Sequence, residues 1–188
     1  MKLVVYNTQY SLGKDGAYDL ERIVEEVRGA DIIALQEVTR NFSQGTDADQ
    51  PGHIAELLPA YYWIFGPAVD LDVNESHAAG RVLNKRLQFG NMLIARWPIL
   101  TSRLLLLPRR RTYDIINTQC GALEGIIDYP GRPLRVYSVH LAFLNPEERM
   151  AQLDFLLPLM LDVPREGGGH LRTRRVMEWG EGPRGAPV

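Results

Sequence analysis

The sequence predicts a layered α/β fold. Three observations carry that prediction: a branched apolar run over residues 3–6, an amphipathic helical pattern after Asp19, and a second apolar run over residues 31–38. In order they read strand, helix, strand, the start of a βαβ unit. The second run is apolar on both alternating faces, so it must be covered on both sides, by helices or by another sheet.

Leu3-Val4-Val5-Tyr6 opens into a polar stretch over 7–14 that contains Gly13, which places Asn7 at a strand end. Asp19 has the character of an N-cap, Leu20, Ile23, Val24 and Val27 share one helical face, and Gly29 is a stop. Residues 41–52 are polar and turn-rich, 54–58 form a brief helix ended by Pro59, and 61–65 form an aromatic strand. Residues 70–86 read as an irregular insertion. Strand character returns over 89–95, Trp97-Pro98 bends the chain away, and 101–107 form a further strand or edge segment. Residues 120–127 and 134–140 are two strands joined through Tyr129-Pro130-Gly131-Arg132-Pro133. Asn145 caps a helix with Pro146 at its first position and Glu147 and Glu148 on the positive end of its dipole. The pattern puts Met150, Leu153, Leu156, Leu157 and Met160 inward and ends the helix near Pro164. Beyond it come Gly167-Gly168-Gly169, Arg172, Arg174 and Arg175, with almost no periodic apolar residues. The expected organisation is one folded unit over residues 1–163 and a Gly/Arg-rich, poorly ordered tail over 164–188.

Composition limits the chemistry. Of 188 residues, 45% are apolar and 23% charged, a globular profile, and a chain of this size needs neither disulfide nor metal merely to hold a core. Twenty-one Lys and Arg against 23 Asp and Glu leave a net charge of −2. That balance disfavours a protein that grips long nucleic acid through unselective phosphate contacts. Cys120 is the single cysteine, which rules out an internal disulfide and a Cys-rich zinc site. No apolar stretch reaches the roughly 20 residues of a membrane-spanning helix, and the amino terminus shows no export signal. A cytoplasmic protein is expected.

Polar residues at strand ends are the candidates for function: Asn7, Gln36-Glu37, Gly90-Asn91 and His140. In layered α/β proteins, ligand sites gather beyond strand ends, where a fixed backbone lets side chains converge. A carboxylate following Ile32-Ile33-Ala34-Leu35 is costly in a dry interior unless it is paired or bound to a cation. Oxygen ligands would favour Mg2+ or Mn2+ at Glu37. Solvent at the strand mouth is the alternative. Gly90 could admit a close backbone approach while the Asn91 amide donates to a phosphate oxygen, or the pair could mark a β-bulge. His140 could donate to a phosphoryl oxygen or be a hydrogen-bonded core histidine. His53, His77 and His170 lie in polar or tail segments. Arg109-Arg110-Arg111 is either a solvated basic loop or a phosphate contact.

Taken in order, Val4-Val5-Tyr6-Asn7, Ile33-Ala34-Leu35-Gln36-Glu37-Val38, Phe89-Gly90-Asn91-Met92-Leu93-Ile94-Ala95-Arg96-Trp97-Pro98-Ile99 and Val136-Tyr137-Ser138-Val139-His140-Leu141, with Gly121-Ala122-Leu123-Glu124 between the last two, resemble the endonuclease/exonuclease/phosphatase superfamily of metal-dependent phosphohydrolases. The resemblance covers roughly residues 1–162. It implies a sandwich of two mixed β-sheets flanked by helices, incomplete here at its C-terminal end, with the site at one end between the sheets. It implies Glu37 as the metal-binding glutamate and Asn7 as an amide holding metal or phosphate. It implies His140 as the contact to the scissile phosphate and Asn91 as a site-lining amide. The cofactor is then Mg2+ or Mn2+, and the substrate a phosphodiester or phosphomonoester of unassigned class.

Two elements of that family's pattern are missing after the histidine strand: a Gly-Asp-x-Asn strand end and a late Asp-His pair. Asp72-Val73-Asn74 has similar letters in the wrong place, and His170 follows Gly169 rather than Asp. The expectation is a chain truncated or altered in frame after about Pro164, with little or no activity alone and with an apolar face or sheet edge left exposed. A non-catalytic phosphate- or partner-binding remnant is the alternative, and a partner chain could complete the domain.

Overall fold

The computed structural model describes residues 1–42, 48–74, 80, 82, 84–110 and 117–162. Seven strands and three helices follow one another as β1 (Leu3–Asn7), α1 (Leu20–Val27), β2 (Ile32–Arg40), α2 (Gln50–Leu57), β3 (Tyr62–Asp72), β4 (Arg86–Ala95), β5 (Ile99–Leu106), β6 (Gly121–Ile127), β7 (Leu134–His140) and α3 (Pro146–Leu161), with a single 3-10 turn at Gln9–Ser11. They form two sheets. The first has the order β1-β2-β4-β3 and is mixed, with β1 parallel to β2 and the other pairs antiparallel. The described strands of the second run β5-β6-β7 and pair antiparallel.

The alternation along β2 explains the layering. Ile33 and Leu35 point to α1 and α2, where they join Val24, Val27 and Ile54 in one buried cluster. Ile32 and Ala34 point the other way and meet Leu93, Leu123, Ile127 and Val136 between the sheets. A third cluster, with Ala122, Cys120 and Leu156, seats α3 on the far side of the second sheet. The layers are therefore helix, sheet, sheet, helix, the sandwich that the doubly apolar strand required. The caps are local. Asp19 accepts from the Arg22 N–H at 2.9 Å, and Asn145 accepts from the Glu147 and Glu148 N–H groups at 2.9 and 3.1 Å.

Two elements differ from the sequence expectation. Residues 70–72 and 86–88 are not an irregular insertion: Asp70, Leu71 and Asp72 pair with Gln88, Leu87 and Arg86, and a 2.9 Å ion pair from Arg86 to Asp70 closes the strand ends. Helix α3 also presents a different face. Glu148, Gln152 and Leu156 are buried, whereas Met150, Phe155, Leu157 and Leu161 are exposed. The reason is backbone demand: Gln152 accepts from the Ala142 N–H and donates to the Pro108 carbonyl, while Glu148 accepts from the Arg110 N–H and the Asn117 amide. The helix binds loops through Glu148 and Gln152, Leu156 and Met160 pack against the second sheet, and Met150, Phe155, Leu157 and Leu161 point outward.

Among the described residues, the edge strands β1, β3, β5 and β7 each pair on one side only. Leu3 and Val5 of β1 are exposed, as are Met150, Phe155, Leu157 and Leu161 of α3. His77, His170, Arg111 and the segment 164–188 lie outside the described residues. Among the described residues, no helix is long and apolar enough to cross a membrane.

Candidate active site between the two sheets

Three of the four candidate side chains converge at one end of the sandwich. Asn7 ends β1 and Glu37 lies on its neighbour β2, and the Asn7 amide donates to Glu37 Oε1 at 2.8 Å. His140 ends β7 on the other sheet, with Nε2 3.6 Å from the same oxygen. The Asn7 and Glu37 backbones are brought together by the parallel register that opposes Asn7 to Gln36.

Glu37 is aimed by a β-bulge. The β2–β4 register shifts between Leu35 and Val38, and Glu37 has a φ of 61°, the left-handed region that costs a non-glycine residue about 1–3 kcal/mol. The bulge is held from both sides. Thr8 donates its hydroxyl to the Gln36 and Glu37 carbonyls, and Gln50 of α2 accepts from the Thr39 N–H. Gln50 also donates to the Tyr10 carbonyl, fixing the short turn after β1.

Burial pushes the His140 imidazole below its usual range, and the charge of Glu37 pulls the other way without prevailing. The imidazole is thus neutral near pH 7. Its ring faces Phe89 at 6.0 Å between centroids. Burial raises the Tyr10 phenol, helped by the charges of Glu37 and Tyr18.

Asn91 is placed elsewhere. It is 2% exposed, and its amide donates to the Gly121 and Ser138 carbonyls, both at 2.8 Å. The amide therefore faces the backbone of the second sheet, not a phosphate oxygen. Gly90 likewise makes room for protein rather than ligand: a Cβ there would stand 2.1 Å from the Gly66 carbonyl on β3. Two residues that the sequence did not single out for this purpose complete the seam. The Gln36 amide donates to Ser138 Oγ at 3.1 Å, and that hydroxyl donates to the Leu35 carbonyl at 3.1 Å. A polar seam of Gln36, Ser138 and Asn91 thus locks the two sheets one residue before Glu37 and two before His140.

The remaining candidates do not join the site. The carboxylate of Asp72 and the amide of Asn74 close on each other and on the Asn74 and Lys85 N–H groups at the end of the β3–β4 hairpin. His53 lies on α2 and does not line the cavity at Glu37. Arg110 pairs with Glu147 at 3.5 Å, and Arg109 donates to the Asn117 carbonyl.

Among the described residues, no three His, Cys, Asp or Glu side chains gather as a metal cage. The Glu37 carboxylate is a hard oxygen ligand of the type that holds Mg2+ with most of its waters retained, whereas Asn7 turns its NH2 toward that carboxylate and its Oδ1 accepts from the Gln9 N–H at 3.0 Å. Glu37 alone thus fits one side of such an ion.

A cavity of about 740 Å³ opens beside Glu37 and His140. Its lining runs from Tyr10 and Phe42 across β3 and β4 to the start of α3.

The fold is similar to that of solved structures. No curated protein matches the chain. An endonuclease/exonuclease/phosphatase from Beutenbergia cavernae is 26% identical with a TM-score of 0.62, over 82% of this chain and 43% of that one. A family protein from Bacteroides thetaiotaomicron is 18% identical with a TM-score of 0.60, over 86% and 59%, and one from Leptotrichia buccalis is 17% identical with a TM-score of 0.58, over 84% and 61%. The chain thus spans about half the length of the solved structures it resembles. The family model described as Endonuclease/Exonuclease/phosphatase family matches residues 4–169, from the strand that carries Asn7 past the end of α3, and by that match the chain belongs to this family.

Proposed function

We propose that this chain carries the first half of a divalent-metal-dependent phosphoester hydrolase site, in which Glu37 and Asn7 hold the metal side and His140 the phosphoryl side. The single observation that carries the reading is the convergence of Asn7, Glu37 and His140 on one carboxylate oxygen, from both sheets, beside an open cavity. Membership of a family of endonucleases, exonucleases and phosphatases supports the reaction class.

Glu37 would hold Mg2+ or Mn2+, with Asn7 fixing the carboxylate through its NH2 while its own oxygen accepts from the Gln9 N–H. When bound, such an ion supplies positive charge to the developing phosphoryl oxyanion and acidifies coordinated water. The protein supplies the rest by position. Asn7 holds Glu37 in one orientation. The neutral His140 imidazole has an N–H to donate to a phosphoryl oxygen, and a phosphate dianion beside it would favour the imidazolium, which donates more strongly. The polar seam of Gln36, Ser138 and Asn91 keeps the two sheets in register so that these groups remain within reach of one phosphorus atom.

Among the described residues, no three His, Cys, Asp or Glu side chains gather at this site, and the further carboxylates that line the cavity, Glu147 and Glu148, are engaged by Arg110 and Asn117. Loss of general-base catalysis alone is worth about 10² to 10⁴ in rate. The chain by itself is therefore proposed to bind a metal and a phosphoryl group and to turn over weakly or not at all.

The test is hydrolysis of bis(p-nitrophenyl) phosphate and p-nitrophenyl phosphate with and without MgCl2, alongside titration of MnCl2 into the chain. Metal binding abolished in Glu37→Gln, with hydrolysis far below that of a full-length relative, is the expected result. Full turnover would overturn the proposed weakness, and absence of any metal or phosphate binding would overturn the site.

A further inference from the structure

We infer that the site, read as proposed above, takes a phosphoester whose substituent is uncharged and apolar, and that the cavity beside Glu37 and His140 is the pocket for that substituent. The walls carry the inference. Val69, Leu71, Leu87 and Phe89 from the β3–β4 hairpin form one side, and Cys120, Ala142 and Leu144 belong to the other. Tyr10 and Phe42 stack at 5.3 Å between centroids, and both rings stand 6.2 Å from Phe89, which in turn faces His140. An aromatic surface therefore runs without interruption from the phosphoryl side of the site into the cavity.

Charge points the same way. No Lys or Arg lines the cavity among the described residues, whereas Glu37, Glu147 and Glu148 do. Glu147 is paired with Arg110 and Glu148 accepts from the Arg110 N–H and the Asn117 amide, and none of the described lining residues is a Lys or Arg that could meet the further phosphates of a polynucleotide or polyphosphate. A substituent of carbon and hydrogen needs no such cation, and its transfer from water is favourable.

The rim supplies a second, independent observation. Phe143 and Leu144 are 73% and 50% exposed on the short loop between His140 and the Asn145 cap, and Leu71 is 55% exposed on the opposite wall. Large apolar side chains standing in water on both lips of one cavity are positioned to cover an apolar ligand.

Calorimetric titration with non-hydrolysable phosphonates in MgCl2 tests this. The probes are methylphosphonate, octylphosphonate and phenylphosphonate, with a short oligothymidylate as the polyanionic control. The octyl or the phenyl compound is expected to bind at least about tenfold more tightly than the methyl compound, from burial of several CH2 or ring CH groups. Their ranking distinguishes an alkyl chain from an aromatic ring. That preference should collapse toward unity in Leu71→Lys and in Phe143→Ser, two exposed positions where the fold tolerates change. Equal affinity for all three phosphonates, lost in Glu37→Gln, would overturn the apolar pocket and leave the metal–phosphate site standing. Tighter binding of the oligothymidylate than of octylphosphonate would also overturn it. No Mg2+-dependent binding of any phosphonate would sink the site and the pocket together.

Discussion

His140 Nε2 stands 3.6 Å from Glu37 Oε1, the oxygen that also accepts the Asn7 amide at 2.8 Å. One carboxylate oxygen thus faces an amide donor from its own sheet and an imidazole from the other. The carboxylate in turn sits on a strained bulge, which lets it leave the regular alternation of β2 and turn toward the inter-sheet mouth.

Removing only the charge of Glu37 separates its two roles. Glu37→Gln keeps the size and an oxygen to accept from Asn7 but cannot neutralise a cation. Mn2+ affinity should fall by at least about 10- to 100-fold, while the metal-free thermal midpoint moves little. Titration of Mn2+ followed by electron paramagnetic resonance, with a thermal melt of both proteins, checks the two halves of this expectation.

Asn91 should behave as a clamp. Asn91→Ala leaves the Gly121 and Ser138 carbonyls without their donor between the sheets. Each buried group left unpaired costs about 1–3 kcal/mol. Urea denaturation should therefore show a loss of about 2–5 kcal/mol. The folded fraction should still bind Mn2+ through Glu37, which a phosphate-contacting amide and a structural one would not distinguish by stability alone.

Gly90→Ala should be among the most damaging small substitutions. The added methyl would meet backbone, the Gly66 carbonyl at 2.1 Å and the Pro67 Cα at 2.6 Å, and neither can move without displacing β3. Overpacking of this kind costs about 1–3 kcal/mol or more. A lower urea midpoint with an unchanged slope would report it.

The parts of the fold that depend on neighbours in sequence were legible, and those that depend on docking were not. The two-faced apolar pattern of β2 requires layers on both sides, and Ile33 and Ile32 do enter different cores. The Asn145-Pro146 start of α3 is likewise a local signal. Asn91, by contrast, has the same letters whether its amide meets a ligand or a carbonyl of the opposite sheet, and only the packing of β4 on β6 and β7 decides between them. The inward polar face of α3 was hidden for the same reason: Gln152 and Glu148 are buried because loops from distant parts of the chain need their backbone groups satisfied. Asp70 and Arg86 looked like parts of a polar insertion because the ion pair that joins their strands spans the hairpin.

The pH dependence of stability should be set in part by Glu124, a fully buried carboxylate on the outer face of the second sheet. Burial works to raise its pKa, but hydrogen bonds from Tyr137 at 2.7 Å and Arg103 at 3.0 Å, with the charges of Arg135 and Arg103, hold it below the usual 4.5. A carboxylate whose pKa is lowered by folding stabilises the folded state above its unfolded value, and that contribution disappears as pH falls through the folded value. The expected curve is flat in this respect above about pH 5 and declines below about pH 4.5. Glu124→Gln should lower stability at pH 7, because two guanidinium groups lose their shared anion. Its stability should also fall less steeply on acidification. Urea midpoints of both proteins from pH 7 to pH 3.5 check the prediction, and parallel curves through the acid range would refute the assignment of that slope to Glu124.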